Sequence, residues 1–224
     1  MDIKKNKILL GSGSPRRKFL LQELGYVFRT LTSKTQEIPL PHLKGGDIAL
    51  YLAEEKADAL IHEINEEEIL ITADTIVWLD SSMLGKPIDA KEAFETILKL
   101  SGRKHEVYTG VCICDSTKRK LFCVKSEVVF KQLSKIDIQQ YIEEYQPMDK
   151  AGSYGAQECL PEGMNPCSEE EINFLKKLGK EDICKKSLAE IKTNRIPFIE
   201  HIEGSYFNVM GFPIVQVVNT VENF

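Results

Sequence analysis

The chain has 224 residues, 42% of them apolar, enough to bury a sizeable core in one large domain or two small lobes. No run of 18 apolar residues occurs, which excludes a membrane-spanning helix, and the opening "MDIKKNKILLGSGSP" is too poor in apolar residues for a secretory leader, so a cytoplasmic protein is expected. Lys and Arg (29) are outnumbered by Asp and Glu (34), so a stable complex with nucleic acid is disfavoured, whereas a small phosphorylated ligand needs only a local basic cluster.

Strand-like and helical patterns alternate along the chain, predicting an α/β or mixed α+β fold. "KILL" (7–10) reads as a strand running into a glycine turn. "PRRKFLLQELG" then reads as a helix, with Ser14 as N-cap, Pro15 at the first position and Gly25 as C-cap. "YVFRTL" (26–31) is a second strand, and Gly45-Gly46-Asp47 opens the helix "IALYLAEEKADALIHEI" with Asp47 as its cap. "EILITADTIVWLD" (68–80) is a long β segment, and "DAKEAFETILKLSG" (89–102) is a helix closing at Gly102. "HEVYTGVCICD" and "LFCVKSEVVFKQL" read as paired strands, followed by the helix "SKIDIQQYIEEYQP"; "HIEGSYFNVMGFPIVQVVNTV" reads as more strand. Residues 158–198 stand apart. Ser168 and Glu171 form a capping-box pattern ahead of Ile172, Leu175 and Leu178, and Ile183, Leu188 and Ile191 suggest a second helix after Gly179. This helical hairpin either covers a cleft or an interface, or lies passively on the surface.

The opening stretch "GSGSPRRK" lacks GxxxxGK[ST], and Arg16 stands where a dinucleotide fingerprint has its third glycine, so neither phosphate motif is present. Its small residues still let the backbone approach an oxyanion, the helix start aims free N–H groups at it, and Arg16 and Arg17 add forked donors. The alternatives are a capped helix with two solvated arginines, or a DNA minor-groove hook; the hook needs repetition and a basic setting that this chain lacks. On a helical wheel Lys56 projects among Ala49, Leu52 and Leu60, either snorkelling outward or reaching a cleft. Asp74, in "LITADTIVW", is costly to bury unless paired, bound to metal or used in chemistry; the other reading is a plain aspartate at a strand end. Lys86, between a glycine and a proline, is held in a turn. "DKAGSYGAQ" (149–157) has the composition of a ligand-lining loop, though also of many connections.

The six cysteines match no zinc-ligand spacing: Cys112 and Cys114 share one strand face, and Cys123, Cys159, Cys167 and Cys184 are scattered, so buried reduced thiols are expected. His105 completes no nucleophile arrangement. What remains is a set of cations (Arg16, Arg17, Lys56, Lys86) suited to a polyphosphate. Two carboxylates (Glu37, Asp74) suit a divalent metal and a water. The combination describes phosphoanhydride hydrolysis.

Seven motifs in order, "SGSPRRKFLLQELG", "QEIPLP", "YLAEEKA", "ADTIVWLDSSMLGKP", "SGRKHEVYTGV", "DKAGSYGAQ" and "IEGSYFNVMGFP", resemble the Maf family of nucleoside triphosphate pyrophosphatases. The resemblance implies a fold akin to the inosine triphosphatase group, a mixed sheet flanked by helices with two lobes around a cleft, often as a homodimer. It implies cleavage of a nucleoside triphosphate to monophosphate and pyrophosphate with Mg²⁺ or Mn²⁺. Asp74 matches the family's proton acceptor, Ser12, Ser14, Arg17, Lys56 and Lys86 the phosphate-binding positions, and Glu37 an acidic position that helps hold metal. Whether Asp74 is base, metal ligand or both stays open. Arg16, Thr75 and Gln157 match the specificity positions of the dTTP/UTP branch; the 7-methyl-GTP branch has Trp at the first. A Gln amide pairs donor and acceptor with the edge of uracil or thymine. A nucleotide-sensing regulator of cell division without catalysis is the contrasting reading, and retained Asp74 and Lys86 speak against it. The chain is expected to be a single Maf-like domain, 1–224, with an inserted helical segment at about 158–197 beginning beside Gln157. Ser153 and Phe212 replace the more usual Ala and Leu.

Overall fold

The computed structural model describes residues 7–188 and 196–224. In chain order it contains β1 (Lys7–Leu10), α1 (Pro15–Leu24), β2 (Phe28–Thr30), α2 (Gly46–Leu60), β3 (Glu68–Leu79) and β4 (Ser82–Leu84). Next come α3 (Ala90–Leu100), β5 (Lys104–Cys114), β6 (Arg119–Phe130), α4 (Lys135–Tyr145) and the single turn α5 (Ala156–Cys159). The C-terminal part holds α6 (Glu169–Leu178), α7 (Asp182–Ser187), β7 (Ile199–Glu203), α8 (Tyr206–Val209) and α9 (Ile214–Glu222). The strands form one mixed sheet in the order β2-β1-β3-β5-β6-β7, with β4 beside β3. This is the mixed sheet flanked by helices that the resemblance implies.

Side-chain alternation along the strands sends successive residues to opposite faces. Ile8, Leu10, Ile69, Ile71 and Ala73 join the main core with Leu20, Leu21 and Leu24 of α1 and the apolar sides of α3, α4 and α9. Leu9, Leu70, Cys112 and Cys114 turn the other way and pack under Ala53, Ala57 and Leu60 of α2. Helix α2 lies very close to the sheet. A Cβ on Gly110 would stand 2.3 Å from the Ala49 carbonyl, so only glycine admits this approach. Thr72 Oγ1 fastens the contact by donating to the Ala53 carbonyl at 2.6 Å.

Most expected elements are present, with three differences. Asp47 lies inside the first turn of α2, whose cap is Gly45 at φ 49°, so Asp47 acts through the helix dipole rather than as the cap. Ser14 does occupy the N-cap of α1 in extended conformation, yet its side chain makes no capping hydrogen bond. The final segment is strand only at β7 and then turns helical. Ile214, Val217, Val218 and Val221 are buried at helical spacing, and this periodicity prevails over their β-branched preference for strand.

The Ser168–Glu171 capping box is formed, and Gly179 ends α6 in the left-handed conformation. Leu188 falls just past α7, and Ile191 lies outside the described residues. The pair α6–α7 is no passive surface addition: Phe174, Leu175 and Ile183 join the main core. Glu171 is 1% exposed. It accepts from Ser168 N–H at 2.9 Å, Ser205 Oγ at 2.5 Å, and the Tyr206 and Phe207 N–H groups at 3.2 and 3.0 Å. One carboxylate thus caps two helices, α6 and α8.

Candidate active site

A gap in the sheet positions the site. β5 runs antiparallel along one edge of β3 from Leu70 to Trp78. On the other edge, β1 pairs in parallel with Glu68 to Ile71, and β4 pairs with Val77 to Leu79. Among the described residues, therefore, no strand lies beside 72–76 on that side. The chain leaving β1 makes one more contact, Gly11 N–H to the Ile71 carbonyl at 2.8 Å, and turns into the glycine-serine loop. A Cβ on Gly11 would meet Thr72 Cγ2 at 2.6 Å, which explains the small residue. The gap opens into a cleft of about 360 Å³, large enough for a small ligand, at the C-terminal end of a parallel strand.

Ser12, Ser14, Arg16, Arg17, Glu37, Lys56, Asp74, Thr75, Lys86 and Gln157 all line this one cleft. Pleating divides the work at its centre. Asp74, with Thr72 and Ile76, faces α2, and Thr75 faces α1. On the α2 side Lys56 is 8% exposed, and its ammonium points inward, not out to solvent. It contacts Asp74 Oδ1 and, at 2.8 Å, Glu37 Oε1. Lys86 Nζ lies 3.0 Å from Glu37 Oε2. On the α1 side the buried Arg17 is fixed by three bonds: Nε to the Gly211 carbonyl (2.8 Å), Nη1 to Ser12 Oγ (3.1 Å) and Nη2 to Thr75 Oγ1 (3.0 Å). Ser12 Oγ also accepts the Ser14 N–H at 3.2 Å. With no side chain capping α1, its first turn remains open to an anion.

The electrostatics follow from burial and pairing. Burial pushes the Asp74 carboxyl above its ordinary value, opposed by the charge and hydrogen bond of Lys56 and then by Arg17. Burial likewise brings Arg17 down to about 10, against the pull of Asp74. Burial opposes ionisation of Glu37 too, but Lys56 and Lys86 together hold its carboxyl at about 2. Arg16 lies 3.8 Å from Asp149 and lines the cleft, as Gln157 does. The 149–157 loop belongs to the site, as its composition suggested.

Several lining residues went unread in the sequence. Thr32, Ser33 and Thr35 precede Glu37, and the clustering of hydroxyls in "RTLTSKTQE" is their signal. Lys150 is 8% exposed and pairs with Asp149 at 3.1 Å and Glu158 at 3.5 Å. Gly211, at φ 96°, had no signal as an arginine acceptor because its partner lies 194 residues away. His105 sits behind the cleft with Nε2 2.8 Å from Tyr154 Oη, and burial holds it neutral down to about 3. It supports the loop and touches no reacting position. Cys112, Cys114 and Cys159 are buried free thiols as expected, whereas Cys123, Cys167 and Cys184 are only half-buried. No helix among the described residues is long and apolar enough to cross a membrane.

A break in a mixed sheet, lined by a basic turn and crossed by a lysine bridging two carboxylates, is an arrangement suited to a nucleotide polyphosphate. The Maf-like protein profile matches residues 7–162, more than half of the chain, and the chain belongs to the Maf family. It is 40% identical over 218 residues to the dTTP/UTP pyrophosphatase of Bacteroides fragilis (strain YCH46), covering 96% of this chain and 95% of that protein. The dTTP/UTP pyrophosphatase of Flavobacterium johnsoniae is 39% identical over 215 residues, covering 96% and 93%. Among solved structures, the Staphylococcus aureus Ham1 protein matches 97% of this chain and 98% of its own at 12% identity, with a TM-score of 0.46.

Proposed function

We propose that the chain is a nucleoside triphosphate pyrophosphatase that converts dTTP and UTP, and modified pyrimidine triphosphates of the same shape, to monophosphate and pyrophosphate. The observation that carries this reading is the convergence of Asp74 and Glu37 on Lys56, inside a cleft that Arg17, Lys86 and the open start of α1 make receptive to phosphate. The names of the Bacteroides and Flavobacterium relatives agree with it.

In this reading the triphosphate draws Lys56 off Asp74. The freed carboxylate, raised by burial, takes a proton from water as the water oxygen bonds to the α-phosphorus. The bond from that phosphorus to the oxygen bridging the β-phosphorus breaks, and pyrophosphate leaves carrying that oxygen. Arg17, locked by its three bonds, serves as a fixed donor, with Ser12, Ser14, Lys56 and Lys86 beside it. A Mg²⁺ or Mn²⁺ ion takes one or two carboxylates together with phosphate oxygens and water. Glu37 and Asp74, which converge on the Lys56 ammonium and so already face a cation, would supply those hard donors. The residues present therefore fit an ion shared with the substrate, which when bound neutralises phosphate charge.

Gln157 and Arg16 both line the cleft, and in this reading they meet the base, the amide pairing with a pyrimidine edge; Thr75, which braces Arg17, is the third specificity position. A cytoplasmic homodimer, built from one Maf-like domain over 1–224 with a helical segment at about 158–197, completes the proposal. The test is product analysis with Mg²⁺ or Mn²⁺ across dTTP, UTP, CTP, GTP and 7-methyl-GTP. Pyrophosphate and monophosphate in equal amounts from dTTP and UTP are expected. A preference for 7-methyl-GTP would retain the chemistry and overturn the specificity assignment. Binding without turnover of any nucleotide would favour a sensing role.

A further inference from the structure

Cys167 and Cys184 are far apart in sequence, one in the loop ahead of α6 and the other within α7, yet they meet in space. Asn165 Oδ1 accepts the Cys167 backbone N–H at 3.1 Å and the Cys184 thiol at 3.5 Å. Each thiol is also the leading influence on the other's titration, as two sulfur groups held by one asparagine would be. Both are half-buried, within reach of a small solute. The other cysteines lack this combination. Cys112 and Cys114 are sealed in the core two residues apart on β5, where Cα atoms stand about 6.8 Å apart, at the limit for a disulfide. Cys159 is buried, and Cys123 donates to the Val124 carbonyl at 3.8 Å.

We propose that Cys167 and Cys184 form a reversible dithiol that a peroxide closes into a disulfide, clasping α7 to the start of α6. Cys184 is the attacking sulfur. The neighbouring Cys167 holds the Cys184 thiol below its ordinary value, and the same neighbourhood pushes Cys167 up. The Cys184 thiolate attacks one peroxide oxygen, the O–O bond breaks, and sulfenic acid and hydroxide form. The Cys167 thiol, having given up its proton, then attacks that sulfur. The S–S bond forms as the S–O bond breaks, and the oxygen leaves as water. In sum, two thiols lose two protons and two electrons, and one peroxide takes them up to become two waters.

The clasp lies immediately before Ser168, the cap of α6, and on the helix whose Ser187 Oγ is 3.3 Å from Tyr206 Oη. It closes a loop that contains Glu171, so it secures the carboxylate that caps α8 without touching any residue lining the cleft. Oxidation is therefore expected to raise thermal stability and leave turnover unchanged.

The full chain is treated with hydrogen peroxide, its remaining thiols are alkylated, and its peptides are weighed. A linked Cys167–Cys184 peptide two hydrogens lighter than its parts, lost on adding dithiothreitol, is expected. Melting should rise by a few degrees in the wild type and not in Cys184→Ser. In Cys167→Ser, Cys184 should accumulate as sulfenic acid trapped by dimedone. If either variant fails to fold, the wild-type peptide map still decides. A map with Cys184 free, with Cys184 linked elsewhere or to a second copy, or with Cys184 oxidised to sulfinic acid beside a free Cys167 would overturn the proposal. A linked peptide without a rise in melting temperature would overturn the clasp.

Discussion

At Asp74 two opposing forces meet in a few ångströms. Burial favours the neutral acid, and Lys56 favours the carboxylate. Asp74→Asn keeps the volume and removes the proton acceptor, so kcat should fall by roughly 10²- to 10⁴-fold while triphosphate binding persists; steady-state kinetics with a separate binding assay checks both. The pH profile carries a sign. Because burial raises Asp74 above 3.8, activity should rise with pH along an acid limb lying above that value. Lys56→Met removes the leading force opposing burial, so in the residual activity the limb should move to higher pH; movement to lower pH would contradict the role given to Asp74. His105 bears on stability instead. The unfolded chain protonates it near 6.5 and the folded chain only near about 3, so its contribution is complete above 6.5 and declines as pH falls toward 3. By about pH 5 the loss should be roughly 2 kcal/mol, and denaturant midpoints of His105→Gln should show a shallower decline across that window.

At the scale of elements, the site depends on α2 pressing onto β5 and on α8 being held by α6. Gly110→Ala drives a methyl into the α2 backbone at Ala49. Stability should fall by about 1–3 kcal/mol and KM should rise, because the displaced helix carries Lys56 with it. Glu171→Ala leaves the Ser168, Tyr206 and Phe207 N–H groups without their carboxylate acceptor at a buried position. A loss of about 2–4 kcal/mol is expected in chemical unfolding, with Glu171→Gln costing less. Helices with local chemistry at their ends were legible in the sequence: Ser168 caps α6 and Gly25 closes α1 as expected. So were the paired strands β5 and β6, through their alternation. The C-terminal helix α9 was not, because its valines suit either state and only burial against the sheet selects helix. The meeting of Cys167 with Cys184 was equally hidden, since the turn after α6 brings them together and no spacing rule encodes it.

Across the whole molecule, an acidic chain sets five of its 29 lysines and arginines in one cleft, and four of the five were readable. Arg16, Arg17, Lys56 and Lys86 were identifiable from glycine turns, an apolar helix stripe and recurring motifs. The break in the sheet beside residues 72–76 was not readable, because it arises from two separate strands, β1 and β4, sharing one edge of β3 incompletely. That break exposes Asp74 and Thr75 together, although they point to opposite faces. The most direct measurement is hydrolysis of dTTP in heavy-oxygen water by the wild type and Asp74→Asn. Water attacking the α-phosphorus leaves the heavy oxygen in the monophosphate and none in pyrophosphate, at a rate that collapses in the variant. Heavy oxygen in the pyrophosphate, or an unchanged rate in Asp74→Asn, would contradict the central claim.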